Sequence, residues 1–493
     1  VPVHSDLTPH FTIEDGQYFT IYGPLFYNHA LNFPGAGALE CRGSLTSLLQ
    51  VRKPEIMGYH DKLFTSQGGA IRNLRVPLHK LRLHLVSHFD CDDVDTAHMR
   101  WLLAPHIKRR LRLTTHADYV DKGLEPDEKG YVTFKMKNGE HLPAGKKRGI
   151  CDVGTLRTNL TGFVIDNLKD ALAVPFEYNG CVYRFIKTAD RDGISGLFNE
   201  VIHGGRDIYA VHGDDSIGSF ECLDGRINFN ADISKCDGSH GRSVVYKLRS
   251  MLSKILAGTG HLEYVNYAFD ILSKDLHFAN PKNRKQYVKY RFTQPRLYSG
   301  SVLTTLLNSF ANFLIGLHVQ SQPKVLKADF AAHFSRCAAE VGYIVTIQMC
   351  EAPEHLQFLK MSPHQTLTGK FVAVNNLGSC LKSFGIFNGD LPGRGDLVER
   401  ARKHNFEVVL GRVDWGNHII AQAFVTCVQR MTRVHHGADM LNKSDEIRIE
   451  SLCIRYGCQV DDFIELAALI RQATVGSIVV HPLVDIMYAV DYG

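Results

Sequence analysis

Carboxylates crowd one short part of this chain. In DIYAVHGDDSIGSFECLDGRINFNADISKCDGSH, which starts at Asp207, the apolar run Ile208 to Val211 ends in Gly213-Asp214-Asp215, and Asp232 and Asp237 follow soon after. Two adjacent acids repel each other and favour no fold. Clustered on a rigid edge, they stay ionised when divalent cations neutralise them. Magnesium takes one or two carboxylates and completes its shell with substrate phosphates. Two such ions a few ångströms apart activate an attacking hydroxyl and stabilise a leaving pyrophosphate. Solvated turn decoration or a helix cap is the bland use of an Asp-Asp pair, and the flanking residues argue against it.

Those flanks are strands. Ile208 to Val211 leads in and SIGSFEC leads out, so Asp214 and Asp215 fall on a tight turn where Gly213 leaves room for the backbone. SIGSFEC and INFNADI in turn flank Leu223-Asp224-Gly225-Arg226, whose Asp-Gly dipeptide signals a hairpin turn. If the strands pair about it, Asp232 lies opposite Asp215 or Ile217, and the third acid returns to the first two. His212 reads as a residue packed beside the strand end.

At this point the residues resemble a known family. Strand-Gly-Asp-Asp-strand is similar to motif C, the metal-binding hairpin of viral RNA-dependent RNA polymerases. DISKCDGSH (Asp232 to His240) resembles their motif A in the form seen in nodaviruses, and SGSVLTTLLN (Ser299 to Asn308) resembles motif B. The order departs from the usual A, B, C: this chain reads C, A, B, as in the permuted polymerases of birnaviruses and permutotetraviruses. The only later Asp-Asp that could compete, in QVDDFIEL (Gln459 to Leu466), reads as a helix N-cap.

The resemblance implies an α+β right-hand polymerase with fingers, palm and thumb, its antiparallel, RRM-like palm sheet permuted in connectivity. It implies that Asp214, Asp215 and Asp232 are the catalytic metal ligands of two magnesium ions, which manganese could replace. Asp237 with Asn308 would read the ribose 2′-hydroxyl and favour NTP over dNTP. Ser299 and Gly300 would form a flexible loop on the template and nascent pair, with Thr304 supporting Asn308. GKKRG (Gly145 to Gly149) is the candidate for basic motif F, with Lys146, Lys147 and Arg148 as triphosphate ligands and Arg157 and Lys169 as alternatives. EHLQFLKMSP resembles motif E, placing Lys360 near the primer strand. SRCAAEVGYIVT resembles motif D but offers no clear counterpart of its general-acid lysine.

The partners implied are RNA template and product strand, NTPs and other viral replication proteins, in host-cell cytoplasm, membrane-associated replication complexes or the virion. A reverse transcriptase, a metal-dependent hydrolase and a catalytically silent RNA-binding or scaffold subunit are the competing readings. Asn308 paired with Asp237 speaks against the first. The Ser-Gly-Thr-Asn loop and helix speak against the second, and the full set of acids against the third.

Composition is compatible with all of this. The chain has 493 residues, 44% hydrophobic and 22% charged, with a formal net charge of +5. This length exceeds what one hydrophobic core supports, so several subdomains are expected. A weakly basic balance allows a basic groove without requiring nucleic acid. The 12 cysteines are scattered singly and read as reduced, cytosolic thiols. No apolar run reaches the roughly 18–20 residues of a membrane span; the best candidate, Thr304 to Val319, is interrupted by Asn308 and Asn312. The start at Val1 without a leader reads as a trimmed chain or a product cut from a larger polyprotein.

Residues 1–195 are expected to form an N-terminal extension and fingers, 196–365 the palm with a fingers insertion around 260–298, and 366–493 the thumb. DCDDVD (Asp90 to Asp95) reads as a helix cap, opening a helix that Pro105 kinks or splits. Asn138-Gly139 reads as hairpin turn material. Residues 275–298 read as basic and irregular. Helices are expected from Arg242 to a stop at Gly258, over Thr304 to Val319 and over Ala328 to Val341.

Overall fold

The computed structural model describes residues 19–20, 67–90, 92–104, 129–136, 149–280, 283–290, 295–383, 419–432, 446–472, 478–479 and 481–492. In chain order the strands are β1 (Phe19–Thr20), β2 (Tyr131–Met136), β3 (Gly149–Asp152), β4 (Phe176–Tyr178), β5 (Cys181–Phe185), β6 (Asp207–His212), β7 (Asp215–Cys222), β8 (Gly225–Ile233), β9 (Asp275–Asn280), β10 (Asn283–Tyr290), β11 (Val345–Cys350), β12 (Met361–Gln365), β13 (Phe371–Asn375) and β14 (Ile478–Val479). The helices are α1 (Arg75–His88), α2 (Val94–Leu103), α3 (Thr155–Ala173), α4 (Arg191–His203), the single turn α5 (Cys236–Ser239), α6 (Arg242–Ile255), α7 (Leu262–Ile271), α8 (Thr304–Ser321), α9 (Phe330–Val341), α10 (Leu377–Ser383), α11 (Ile419–Thr432), α12 (Ile449–Tyr456), α13 (Val460–Gln472) and α14 (Pro482–Tyr492). The class is α+β, as expected.

A six-stranded sheet in the order β11-β8-β7-β6-β5-β4 forms the centre. All its pairs are antiparallel except β5 with β6, which α4 joins as a crossover. Alternate residues enter opposite cores, as the two-residue period of a strand dictates. Tyr183, Tyr209 and Val211 join one cluster with Phe310 and Phe313 of α8 and Phe334 of α9. Val182, Ile208 and Ala210 join another with Leu197 and Phe198 of α4. Gly316 lets α8 lie close on the sheet, since a Cβ there would fall 2.4 Å from the Tyr209 ring. The sheet begins at Phe176, ahead of the boundary expected at 196.

Beside it, β10-β9-β2-β3 forms a four-stranded sheet. Residues expected to be irregular are therefore strands β9 and β10. Leu276 and Phe278 alternate with polar neighbours, a period-two signal that the surrounding basic residues mask, and β9 gains its order by pairing in parallel with β2. The β2–β3 ladder ends at the Met136–Gly149 pair, and the turn material expected at Asn138-Gly139 lies outside the described residues.

The C-terminal helices α10 to α14 share their own core around Phe424, Leu466 and Met487. Asp461 and Asp462 occupy the first turn of α13 rather than its cap, and Asp462 accepts the Gln459 amide at 2.9 Å. Asp93 is the expected cap of α2, accepting the Thr96 amide at 3.0 Å, and α2 stops at Leu103, before Pro105. The cysteines whose side chains are described are all free. Among the described residues no helix is long and apolar enough to cross a membrane.

Candidate active site

The turn carrying the first two acids is built from both sides. β6 and β7 close their ladder at the His212–Asp215 pair, leaving Gly213 and Asp214 as turn residues. Gly213 has φ +61°, the positive value that a type II′ turn requires at its first central position. Helix α8 grips this turn. The Gly213 amide donates to Ser309 Oγ at 2.8 Å, and Asn312 Nδ2 donates to the Gly213 carbonyl at 2.8 Å. The Tyr209 hydroxyl donates to Asn312 Oδ1 at 3.2 Å and so fixes the orientation of that amide. His212 packs as expected, stacked on Phe185, with Nδ1 2.6 Å from the Ile186 carbonyl.

The third acid returns on β8. Asp232 is the direct partner of Asp215, and the next amide, that of Ile233, donates to the Asp214 carbonyl at 3.1 Å. The connecting turn is Leu223-Asp224 rather than Asp224-Gly225, because Gly225, at φ +122°, already pairs with Cys222. Burial, then Asp214 and Asp232, push the Asp215 carboxyl up to about 7. Desolvation, then Asp214, push Asp232 up to about 6, and Lys360 opposes both shifts. Burial and mutual repulsion both disfavour the charged form of such crowded carboxylates. An all-oxygen donor set at one sheet end fits a hard divalent cation such as magnesium or manganese.

Beyond β8, Lys235 turns the chain at φ +52° into α5, which buries Asp237. Asn308 Nδ2 donates to Asp237 Oδ1 at 2.7 Å, and the Ser299 hydroxyl donates to Asp237 Oδ2. The Ser299-Gly300 loop is fastened to β3: the Cys151 amide donates to the Ser299 carbonyl at 2.7 Å, and a Cβ on Gly300, at φ +102°, would lie 2.4 Å from the Cys151 carbonyl oxygen. Thr304 does not support Asn308 through a hydrogen bond. Its hydroxyl donates to the Tyr298 carbonyl at 3.3 Å and closes the loop, while His240 holds Asn308 from the other side at 2.7 Å.

Lys360 lies at a two-residue turn. Phe358 and Met361 exchange backbone hydrogen bonds at 2.9 and 3.0 Å, and Leu359 and Lys360 both have positive φ, +54° and +61°. Lys360 Nζ donates to the Asp491 carbonyl at 2.7 Å and sits 4.6 Å from the centre of the Tyr492 ring, which ties this turn to the end of α14. Helix α9, Gly342 at φ +98° and β11 follow in the order expected of the motif D segment.

The basic candidates fare differently. Lys146, Lys147 and Arg148 lie outside the described residues. Arg157 is buried on α3 and donates to the Tyr131 carbonyl at 2.8 Å, which makes it a brace for β2. Lys169 lies further along the same helix. Sequence reasoning missed Arg296, whose Nη1 is 3.4 Å from the Gly238 carbonyl beside Asp237. It also missed His240, Ser309 and Asn312. Asn308 and Asn312 are one helical turn apart, and two asparagines on one face of an apolar helix were the signal available for Asn312.

No protein-family model matches the chain, and no curated protein matches it. Among solved structures it is similar to a birnavirus VP1–VP3 complex, at 11% identity and a TM-score of 0.40 over 58% of this chain and 42% of that one. It is also similar to the RNA polymerase VP1 from Infectious Pancreatic Necrosis Virus, at 11% identity and a TM-score of 0.40 over 73% of this chain and 50% of that one. The chain thus spans half or less of each of these two chains.

Proposed function

We propose that the chain is a template-directed RNA polymerase that adds NMP from NTP to an RNA 3′-hydroxyl. The observation that carries this reading is the backbone pairing of Asp215 with Asp232 at one end of the central sheet, with Asp214 on the adjoining turn and a buried Asp237–Asn308 pair beyond β8. Two magnesium ions, or manganese in their place, would be held by Asp214, Asp215 and Asp232 and would supply charge for the attacking hydroxyl and the leaving pyrophosphate.

The chain's own residues then have separable tasks. The II′ turn and the β7–β8 ladder hold the carboxylates in place before any ligand arrives. Asp237 and Asn308 bind the ribose 2′-hydroxyl through the donor and acceptor capacity that their bonds to each other, to Ser299 and to His240 leave over, and a sugar without it leaves that capacity unmet. Ser299 and Gly300 set the floor under the new base pair. Lys360 contacts the primer backbone from the tied turn, and Arg296 with Lys147 and Arg148 neutralises the triphosphate.

Purified protein with template, NTPs and Mg²⁺ or Mn²⁺ makes RNA, and Asp214→Ala and Asp232→Ala each abolish synthesis while leaving RNA binding in place. Synthesis surviving in Asp232→Ala overturns the site assignment. RNA binding by the intact chain without synthesis gives the scaffold reading instead, and a preference for dNTP gives the reverse transcriptase.

A further inference from the structure

The Asp237–Asn308 pair is the visible end of a longer chain of hydrogen bonds. Asn308 Oδ1 lies 2.7 Å from His240 Nε2, and His240 Nδ1 lies 2.9 Å from the Tyr343 hydroxyl. His240 and Tyr343 are 0% exposed, so no water replaces a bond lost between them, while Asn308 and Asp237, at 4% and 8%, keep the small exposed surface through which a sugar hydroxyl is read.

The direction of each bond follows from the acid end. A carboxylate only accepts, so Asn308 turns its NH₂ to Asp237 and its carbonyl oxygen to His240. That oxygen needs a donor, which places the imidazole proton on Nε2. Burial holds the His240 pKa below its ordinary value, so the ring stays neutral and Nδ1 keeps a lone pair. The Tyr343 hydroxyl is then the donor to Nδ1. One N–H of the Asn308 amide is committed to Asp237, and the other is aimed by the same constraint.

The backbones that carry His240 and Tyr343 are clamped together by one residue. Gln67 Nε2 donates to the Ser239 carbonyl at 3.0 Å and lies 3.4 Å from the Gly342 carbonyl, and the Gly241 amide donates to Gln67 Oε1 at 3.1 Å. Gln67 thus bonds the residues on either side of His240 and the one before Tyr343. Gly342 makes room for it: at φ +98°, a Cβ there would lie 2.2 Å from the Gln67 side chain.

We infer that His240 and Tyr343 are positioning residues for sugar selection, locking the Asn308 amide in the one orientation that reads a 2′-hydroxyl. The terminal torsion of an asparagine has two nearly equivalent settings, and the relay removes one of them. Sugar choice is thereby coupled to the turn between α9 and β11, on which Tyr343 sits. This inference rests on the ribose-reading role of Asp237 and Asn308.

The test measures kcat/KM for one NTP and its 2′-deoxy counterpart in His240→Ala, His240→Gln, Tyr343→Phe and Asn308→Ala, with thermal unfolding recorded for each. Loss of one hydrogen bond from the relay corresponds to a drop in NTP preference of about 3- to 10-fold for Tyr343→Phe, and of at least about 10-fold for His240→Ala. His240→Gln, which can donate to Asn308 and accept from Tyr343, restores most of the preference. A purely structural role would slow both sugars alike and leave the ratio unmoved. An unchanged ratio in Tyr343→Phe and His240→Ala, with Asn308→Ala losing its preference, overturns the relay and leaves the ribose reading intact. Full preference in Asn308→Ala overturns the ribose reading itself. If His240→Ala does not fold, Tyr343→Phe, which conserves packing, decides alone.

Discussion

Asp215 and Asp232 are direct partners across the β7–β8 ladder, so two acids share one face of the sheet with Asp214 at the adjoining tip. Their carboxyls sit near 7 and 6, above the 3.8 of a free aspartate. A folded state that binds protons more tightly than the unfolded one loses stability as pH rises. The metal-free protein therefore loses stability from these groups between about pH 4 and pH 7. Divalent cations, which compete with those protons, restore it most at the upper end. Melting temperatures taken with chelator and with Mg²⁺ from pH 5 to pH 8 should diverge progressively, and Asp215→Asn should flatten the divergence. An equal Mg²⁺ shift at both ends of the range counts against the carboxylates as its source.

Asn312 carries the acidic turn on helix α8. Replacing it with alanine strands the Tyr209 hydroxyl and the Gly213 carbonyl, both buried. Buried groups left unsatisfied cost about 1–3 kcal/mol each. Asn312→Ala is expected to fold with reduced stability in urea titration, and to lose kcat far more than NTP affinity, because the carboxylates lose their register with the primer end. Unchanged kcat would separate the turn from the chemistry.

Arg455 and Asp491 form an ion pair at 2.7 Å with side chains 1% and 0% exposed. Asp491 also accepts from Tyr456 at 3.1 Å and from the Gly378 amide at 2.7 Å, while Arg455 donates to the carbonyl of Glu354 at 3.1 Å. Breaking a buried pair from one side leaves an uncompensated charge and costs about 3–5 kcal/mol. Asp491→Ala is expected to lose that much by chemical denaturation. The removal of both charges in Arg455→Met with Asp491→Leu should cost less than Asp491→Ala alone.

Leu359 and Lys360 occupy a backbone region that favours glycine or asparagine, as a I′ turn demands. A left-handed residue with a Cβ costs about 1–2 kcal/mol. Leu359→Asn relieves that strain but gives up the packing of Leu359 on the Val182–Ile208–Phe358 core, so its net effect on stability should stay within about 1 kcal/mol, with RNA synthesis intact. Lys360→Gly relaxes the same turn but removes the bond to the Asp491 carbonyl, and its expected signature is weaker primer extension at undiminished NTP affinity. Equal primer extension in the two variants would remove Lys360 from the primer path.

Local signals in the sequence carried far into this site. The Gly-Asp-Asp turn and the return of Asp232 to the level of Asp215 or Ile217 follow from strand periodicity and turn chemistry, whereas the pairing of Asp237 with Asn308 was implied only by the resemblance to polymerase motifs A and B. What stayed hidden was long-range pairing. Arg157 looked like a phosphate ligand because nothing local reveals that the Tyr131 carbonyl is its partner. His240 closed the quoted motif A segment without a role of its own, because that role depends on Asn308 and Tyr343, which reach it only in the fold. β9 and β10 looked irregular because their order comes from β2, far upstream.

The ribbon from β6 through β7 to β8 needs only two short turns to bring Asp214, Asp215 and Asp232 together. Closing short loops requires little loss of chain entropy, and contacts between near neighbours in sequence form early in folding. In the usual motif order, distant segments must dock before the acids meet. Here the acids lie on a single local meander, so their mutual repulsion is expected to act early in folding. A divalent cation present during refolding is therefore expected to raise the folding rate as well as the stability of the folded protein.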